Sequence, residues 1–523
     1  MSTASKTNNT LSLKINIIAN YASQLYVTAV GILILPLYIK YMGAEAYGLV
    51  GFFTMLQACF FLLDIGLTPT IGRETARYHG GAMSALAYRQ MFRALSIIFV
   101  IIAVIGGGGL WLLSEVVATS WLNVTELPMG EVVLAVQIMG ISVALRWMGG
   151  LYRGVITGSE RLVWLSGFNV FIATLRFIAV FASMGLYGFS PFVFFIHQLV
   201  VALVEILCLF MVSRRLLPSR TSLSQAIGWS FSPVRPLLKF ALTIAFTSSV
   251  WVLVTQTDKF VLSGILPLAE YGYFTLAVLV ASSIIIISSP ISSAIMPRMA
   301  RLHAEGKHEE LIQIYRSSTQ LISVVVGSTA ITLATCAEQL LFAWTGDTQL
   351  AEKAAPILQL YAIGNGFLAI TAFPYYLQYA KGNLRYHLIG NIVMVGVLIP
   401  VIMYFAYYFG GVGAGYVWLG MNCSYLLIWT AYVHHKLEPR LHFPWLVNDI
   451  AVIVLPAVAI VIFIFIFELR LVSYGRIEAI AYCISTGVLF FVGSALVSQK
   501  VRNMLSFWIK NIRVKIQSGN TRA

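Results

Sequence analysis

The sequence predicts an all-α polytopic membrane protein of about fourteen transmembrane helices, with two six-helix bundles in parallel pseudo-twofold repeat and two extra C-terminal helices. Three observations predict it. Hydrophobic residues make up 59% of the 523-residue chain and charged residues 10%, against roughly 25% charged residues in a soluble domain. Long apolar stretches recur along its whole length, separated by short turns alternately rich and poor in Lys and Arg. The two halves also match at a constant offset of 224 positions, Tyr47 to Tyr271.

A helix needs about 20 apolar residues to cross the roughly 30 Å hydrocarbon core. The first span is expected over 15–39, behind a polar leader with Lys6 and Lys14. It is too long for a signal peptide, is interrupted by Asn16, Asn20 and Gln24, and lacks a small-residue cleavage site, so it reads as a retained span with a kink at Pro36. Spans over 48–67, 94–117, 132–151, 162–184 and 191–212 complete the first six. The second six run over 237–262, 271–291, 319–337, 354–377, 388–409 and 412–433. Two more, 450–467 and 477–497, lie outside the repeat. The expected organisation is therefore a bundle over 1–215, a second over 216–440, accessory helices over 441–498 and a tail over 499–523.

Matched residues at the offset fall on corresponding turns. Tyr47-Gly48 answers Tyr271-Gly272, Ala76-Arg77-x-His79 answers Ala300-Arg301-x-His303, and Tyr152, Gly158 and Arg161 answer Tyr376, Gly382 and Arg385. The offset covers an even number of crossings, so the copies share one orientation, with a cavity expected between them.

Of the 34 Lys and Arg, only Lys40, Lys353, Arg470 and Arg476 fall on the face opposite the termini, and Arg146, Arg176 and Lys259 fall within spans. All the others share the face of the termini, which the positive-inside rule assigns to the cytoplasm. The net charge of +14 is thus a topology signal and gives no reason to expect a nucleic-acid partner. In the tail, Val501, Leu505, Trp508 and Ile512 form one stripe amid basic residues, the pattern of an amphipathic helix on an anionic leaflet.

Charges in mid-span cost roughly 2.5–3.5 kcal/mol each and persist where a wet cavity or a partner supports them. Arg176 lies fourteen residues into its span, roughly 21 Å deep at 1.5 Å per residue. Arg146, nearer its cytoplasmic end, either snorkels or joins Arg176 in a cationic cavity. Lys259, beside Asp258, is either a third cavity cation or half of a structural ion pair. Asp64, Glu205 and Asp258 are candidate coupling or gating carboxylates, with helix packing as the alternative. Gln198 and Glu205 are seven apart and share a helix face.

Polar stripes mark the first and seventh spans: Asn16, Asn20 and Ser23, then Thr243, Thr247, Trp251, Thr255 and Asp258. Asn20, Trp251 and Tyr361 are candidate sugar contacts, although many such aromatics simply belong to the interfacial belt.

No cofactor and no metal is expected. The chain has no Gly-x-x-x-x-Gly-Lys-[Ser/Thr], no His-Glu-x-x-His and no Cys-x-x-Cys, and its five cysteines all sit in apolar stretches. Outward loops are short, which counts against an integral-membrane glycan polymerase.

The run Leu35-Pro36-Leu37-Tyr38-x-x-Tyr41-Met42-Gly43-x-x-x-Tyr47-Gly48, then Leu63-Asp64-Ile65-Gly66-Leu67 and Arg73, resembles the opening of the polysaccharide transporters. These are the O-antigen (Wzx-type) flippases of the multidrug/oligosaccharidyl-lipid/polysaccharide exporter superfamily. Thr257-Asp258-Lys259-Phe260, Tyr271-Gly272 and Met296-Pro297-Arg298 are similar in the second half. The resemblance implies a transporter, not an enzyme, that carries undecaprenyl-diphosphate-linked oligosaccharide from the cytoplasmic to the outer leaflet of a bacterial inner membrane by alternating access. It implies substrate-binding cations, mapped here onto Arg146, Arg176 and Lys259. It also implies membrane lipids as partners, with polysaccharide polymerase and chain-length regulator proteins as expected neighbours. A multidrug/cation antiporter of the same superfamily is the alternative. The lipid II flippases share the span count, but their opening motif is missing.

Overall fold

The computed structural model describes residues 3–64, 66–219, 228, 235–467 and 475–502, with side chains described for all of these except 3–17, 61, 235–248 and 293–294. The tail beyond Arg502 and the outward Arg470 lie outside the described residues, as do the side chains of Asn16, Thr243 and Thr247.

Every regular element among the described residues is a helix. The helices are α1 (Thr3–Leu33), α2 (Leu35–Met42), α3 (Ala44–Phe60), α4 (Leu67–His79), α5 (Ala85–Leu112), α6 (Ser114–Val116) and α7 (Met129–Gly158). Then come α8 (Leu162–Thr174), α9 (Val180–Tyr187), α10 (Pro191–Leu216), α11 (Arg235–Ser263), α12 (Leu268–Ala304) and α13 (His308–Thr335). The remainder are α14 (Ala337–Thr345), α15 (Thr348–Ala380), α16 (Arg385–Ser424), α17 (Thr430–Leu437), α18 (His442–Leu446), α19 (Val452–Ile466) and α20 (Arg476–Val497). Wide π-helical turns join α8 to α9 (Leu175–Ala179), α16 to α17 (Tyr425–Trp429) and α18 to α19 (Val447–Ala451).

Twelve candidate membrane spans, by length and apolarity, occur among the described residues, two short of the sequence expectation. One of them, Arg385–Leu437, is 53 residues long. Inside it Gly410 is non-helical (φ 56, ψ −140), which separates two arms where the sequence expects two spans. The break before Pro36 also appears: α1 ends at Leu33 and α2 begins at Leu35, with proline in the first turn where its missing N–H costs nothing.

The chain forms two compact units, Met1–Gly272 and Tyr273–Ala523. In the first, α7 is central and packs on α4, α5 and α10. Its close approach to α4 depends on Gly150, Gly154 and Gly158, one per turn. A Cβ at Gly154 would lie 2.0 Å from Ile71 Cγ2, and one at Gly158 2.2 Å from the Gly72 carbonyl oxygen. Such small-residue stripes let membrane helices touch through their backbones. The matched Tyr-Gly pairs meet in this unit too: a Cβ at Gly272 would lie 3.2 Å from the Gly48 amide nitrogen.

In the second unit α15 packs on α13, α14 and α16. The two helices beyond the repeat, α19 and α20, pack on each other and on α13, burying Ile331, Ala457, Ile464 and Phe490.

Candidate functional site

Polar side chains inside the first unit converge where α7 faces α10. Helix α10 starts at a conventional cap: Ser190 Oγ accepts from the Val193 amide and Pro191 occupies the first turn. It then carries Gln198 and Glu205 two turns apart, both buried. Helix α7 carries Arg146 and Arg153 with the same spacing. Two rungs result. Arg146 donates to Gln198 Oε1 at 2.6 Å, and Arg153 donates to Glu205 Oε1 at 2.6 Å. Seven helical residues separate the rungs by about 10.5 Å.

The flanking contacts complete each rung. Arg146 also donates to Gln57 Oε1 at 2.8 Å and lies 5.0 Å from the Phe53 ring centre, so α3 supports the upper rung. Arg153 also donates to Asn169 Oδ1 at 2.6 Å, from α8.

Arg176 ties the rungs together. Its guanidinium pairs with the second Glu205 oxygen, and its backbone carbonyl accepts from Gln198 Nε2 at 3.0 Å. It sits in the wide turn Leu175–Ala179. A π-turn replaces regular i→i−4 bonds and leaves carbonyls free for outside donors. Here three in succession are engaged: Leu175 O by His197 Nε2 (2.9 Å), Arg176 O by Gln198, and Phe177 O by the Tyr38 hydroxyl (3.2 Å). His197 is oriented in turn by Ser183 Oγ at 2.8 Å from Nδ1.

Two guanidiniums thus hold one carboxylate and a third stands on the neighbouring rung, a net charge of two positive. The buried Nε–H groups of Arg146 and Arg176 have no acceptor among the described residues. Arg176 and Arg153 keep 23% and 29% of their side-chain surface accessible, so the cluster is reachable from outside the fold. The arrangement can bind an anion through charge-assisted hydrogen bonds.

Of the sequence candidates, Arg146, Arg176 and Glu205 come together here. Arg153, Gln57, Asn169 and His197 join them although the sequence reading did not select them. Arg153 reads there as a face cation, because hydropathy ends the span at 151 whereas α7 continues to Gly158.

The other candidates have separate surroundings. Lys259 Nζ donates to the Thr255 carbonyl at 2.8 Å and lies 3.6 Å from Oδ1 of the buried Asp258. Asp64 accepts from the Thr68 hydroxyl at 2.6 Å and from its amide, as a cap at the entrance to α4 after the left-handed Gly66. Asn20 is exposed and Trp251 is 48% exposed. Tyr361 lies in the core of the second unit, 1% exposed and stacked on Trp418 at 5.8 Å. Among the described residues no cluster of His, Cys, Asp and Glu could hold a metal ion.

The backbone is similar to several solved transporters. Lipid II flippase MurJ in its inward closed conformation superposes with a TM-score of 0.68 at 13% identity, covering 94% of this chain and 99% of that one. An inward-facing multidrug resistance MATE family transporter of the MOP superfamily gives 0.66 at 13% identity over 80% and 94%. The eukaryotic MATE transporter AtDTX14 gives 0.54 at 12% identity over 83% and 99%. No curated protein matches the sequence. Residues 13–303, more than half of the chain, match the family described as polysaccharide biosynthesis protein. With that match, the chain belongs to the polysaccharide biosynthesis protein family, and its multi-pass helical fold is similar to that of MOP superfamily transporters.

Proposed function

We propose that this transporter flips an undecaprenyl-diphosphate-linked oligosaccharide from the cytoplasmic to the outer leaflet of a bacterial inner membrane by alternating access. The observation that carries the proposal is the net-positive cluster of Arg146, Arg153, Arg176 and Glu205. A diphosphate head cannot enter hydrocarbon without losing its hydration. Partly exposed guanidiniums replace that hydration with charge-assisted hydrogen bonds, and their fork geometry matches phosphate oxygens. In this reading Glu205 is the resting counter-anion of Arg153 and Arg176, and the diphosphate takes its place. A proton or sodium ion arriving at Glu205 would free the same two arginines, which makes it the coupling carboxylate.

The family match and the likeness to a protein named as a lipid II flippase support this reading. Fourteen spans follow if the two arms of α16 count separately and α11 is added to the twelve candidates. The duplicated bundles over 1–215 and 216–440 remain part of the proposal, supported by the contact between the matched Gly48 and Gly272. Both termini are assigned to the cytoplasm on the basis of the cation count.

Export of organic cations is the competing reading, drawn from the MATE likeness. A cluster of three guanidiniums and one carboxylate disfavours it, because its net positive charge would repel a cationic cargo. Reconstitution into proteoliposomes with a fluorescent lipid-linked oligosaccharide decides between them. Translocation that is lost in Arg176→Ala supports the proposal; expulsion of a cationic dye without glycan movement overturns it.

A further inference from the structure

A second basic site lies entirely within Tyr273–Ala523 and takes no part in the proposed transport chemistry. Four helix ends surround a cavity of about 1090 Å³: the end of α12, the start of α13, the link from α17 to α18, and the residues just after α20. Arg298, Arg316, Arg440 and Lys500 line it, one from each of these elements.

Two features give this cavity a net attraction for anions. One of its two lining acids is spoken for. Glu438 pairs with Lys381 and lies 3.2 Å from His308 Nε2, while Glu309 is the other lining carboxylate. Arg316 is braced from behind by the fully buried Asp449, with Nε at 2.6 Å, and Gln320 shares that carboxylate at 2.8 Å. By contrast, Arg298, Arg440 and Lys500 have no acidic partner among the described residues. Arg440 also holds φ at 74°, the left-handed region that favours glycine. The fold keeps a long cationic side chain at that position against a local conformational cost.

We infer that this cavity binds the phosphate group of an anion, drawn either from an acidic phospholipid head group in the adjoining leaflet or from a soluble phosphate. Helix ends place it at the depth of the membrane surface, and basic pockets between helices at that level suit anionic head groups. Guanidiniums that line one cavity from separate elements offer the multidentate recognition that a phosphate takes and a carboxylate side chain fills less completely. Occupancy would join α12, α13, the α17–α18 link and the start of the tail through one ligand. The inference does not rest on the flippase reading, since no residue is shared with the α7–α10 cluster.

The test uses the full-length protein in nanodiscs of phosphatidylcholine. Phosphatidylglycerol or cardiolipin is titrated in one arm and inorganic phosphate or pyrophosphate in the other, with bound ligand read by native mass spectrometry. The expected result is retention of the acidic ligand at least about tenfold above phosphatidylcholine, and its loss in the Arg298→Gln/Arg440→Gln/Lys500→Gln variant. Lipid binding alone identifies the head group as the source; phosphate binding alone identifies the soluble anion. The single Arg440→Gln variant, at an exposed position, provides the comparison if the triple variant fails to fold, and should weaken retention several-fold. Equal retention by wild type and Arg440→Gln, or no preference for either phosphate source, overturns the inference.

Discussion

Arg176 grips Glu205 with its guanidinium while its own backbone carbonyl is held by Gln198, two turns away on the same helix as Glu205. One residue therefore locks against α10 twice, by side chain and by main chain. This double attachment makes the cation of the wide turn a positioned group rather than a freely snorkelling one.

Arg176→Ala should abolish surface glycan display while the protein stays inserted and monodisperse. Arg176→Lys should restore only part of it, because a point charge cannot bridge as a planar fork does. Complementation of a transport-deficient strain, with membrane abundance measured in parallel, checks both. Full display by Arg176→Ala would remove this residue from the site.

The lower rung should register as an energetic coupling. In a double-mutant cycle, Arg153→Ala and Glu205→Gln should be non-additive by about 1–3 kcal/mol in detergent unfolding. Glu205→Gln alone should be the more damaging change, since it leaves two arginines without their shared carboxylate. Additive effects would show that the rung contributes nothing.

Tyr38→Phe keeps the ring stacked on Phe181 at 5.2 Å but removes the hydroxyl from the Phe177 carbonyl. A loss of about 1 kcal/mol in stability is expected. Transport should fall further than that loss explains, because the turn that aims Arg176 is loosened. Transport rate set against melting temperature separates the two effects.

Gly154→Val should prevent α7 from reaching α4, with sharply reduced expression, because even a Cβ there meets Ile71 at 2.0 Å. Gly167→Val, where nothing lies within 4 Å, is the control and should express normally. Fluorescence-detected size exclusion reads both.

Asp64→Asn should leave transport nearly intact, since the amide oxygen still accepts from Thr68. Asp64→Ala should cost about 1 kcal/mol through the lost cap. A proton-coupling role would instead make Asp64→Asn inactive in a pH-gradient transport assay.

The sequence showed most of the helices, because apolar runs of spanning length admit few other structures in lipid. It also exposed Arg146, Arg176 and Glu205, since a charge amid apolar residues is conspicuous. Arg153 was hidden by its neighbours: Tyr152, Gly154 and Gly158 resemble a turn, yet the glycines continue α7 as its contact face with α4. Gln57 and Asn169 carry no sequence signal that separates them from ordinary packing amides. Tyr361 had the right chemistry for a sugar platform but lies in a core, a distinction that periodicity alone cannot draw. The wide turn at Leu175–Ala179 was equally invisible, because its donors come from residues 38, 197 and 198.

A turn of this kind stores one amino acid more than a regular helix of equal rise. Excising a single codon between Leu175 and Ala179 would therefore heal the irregularity, leave the helix beyond it in nearly its present phase and withdraw the free carbonyls that Tyr38, His197 and Gln198 now hold. In homologous genes, a one-residue gap at this point would identify proteins that lack those carbonyl anchors.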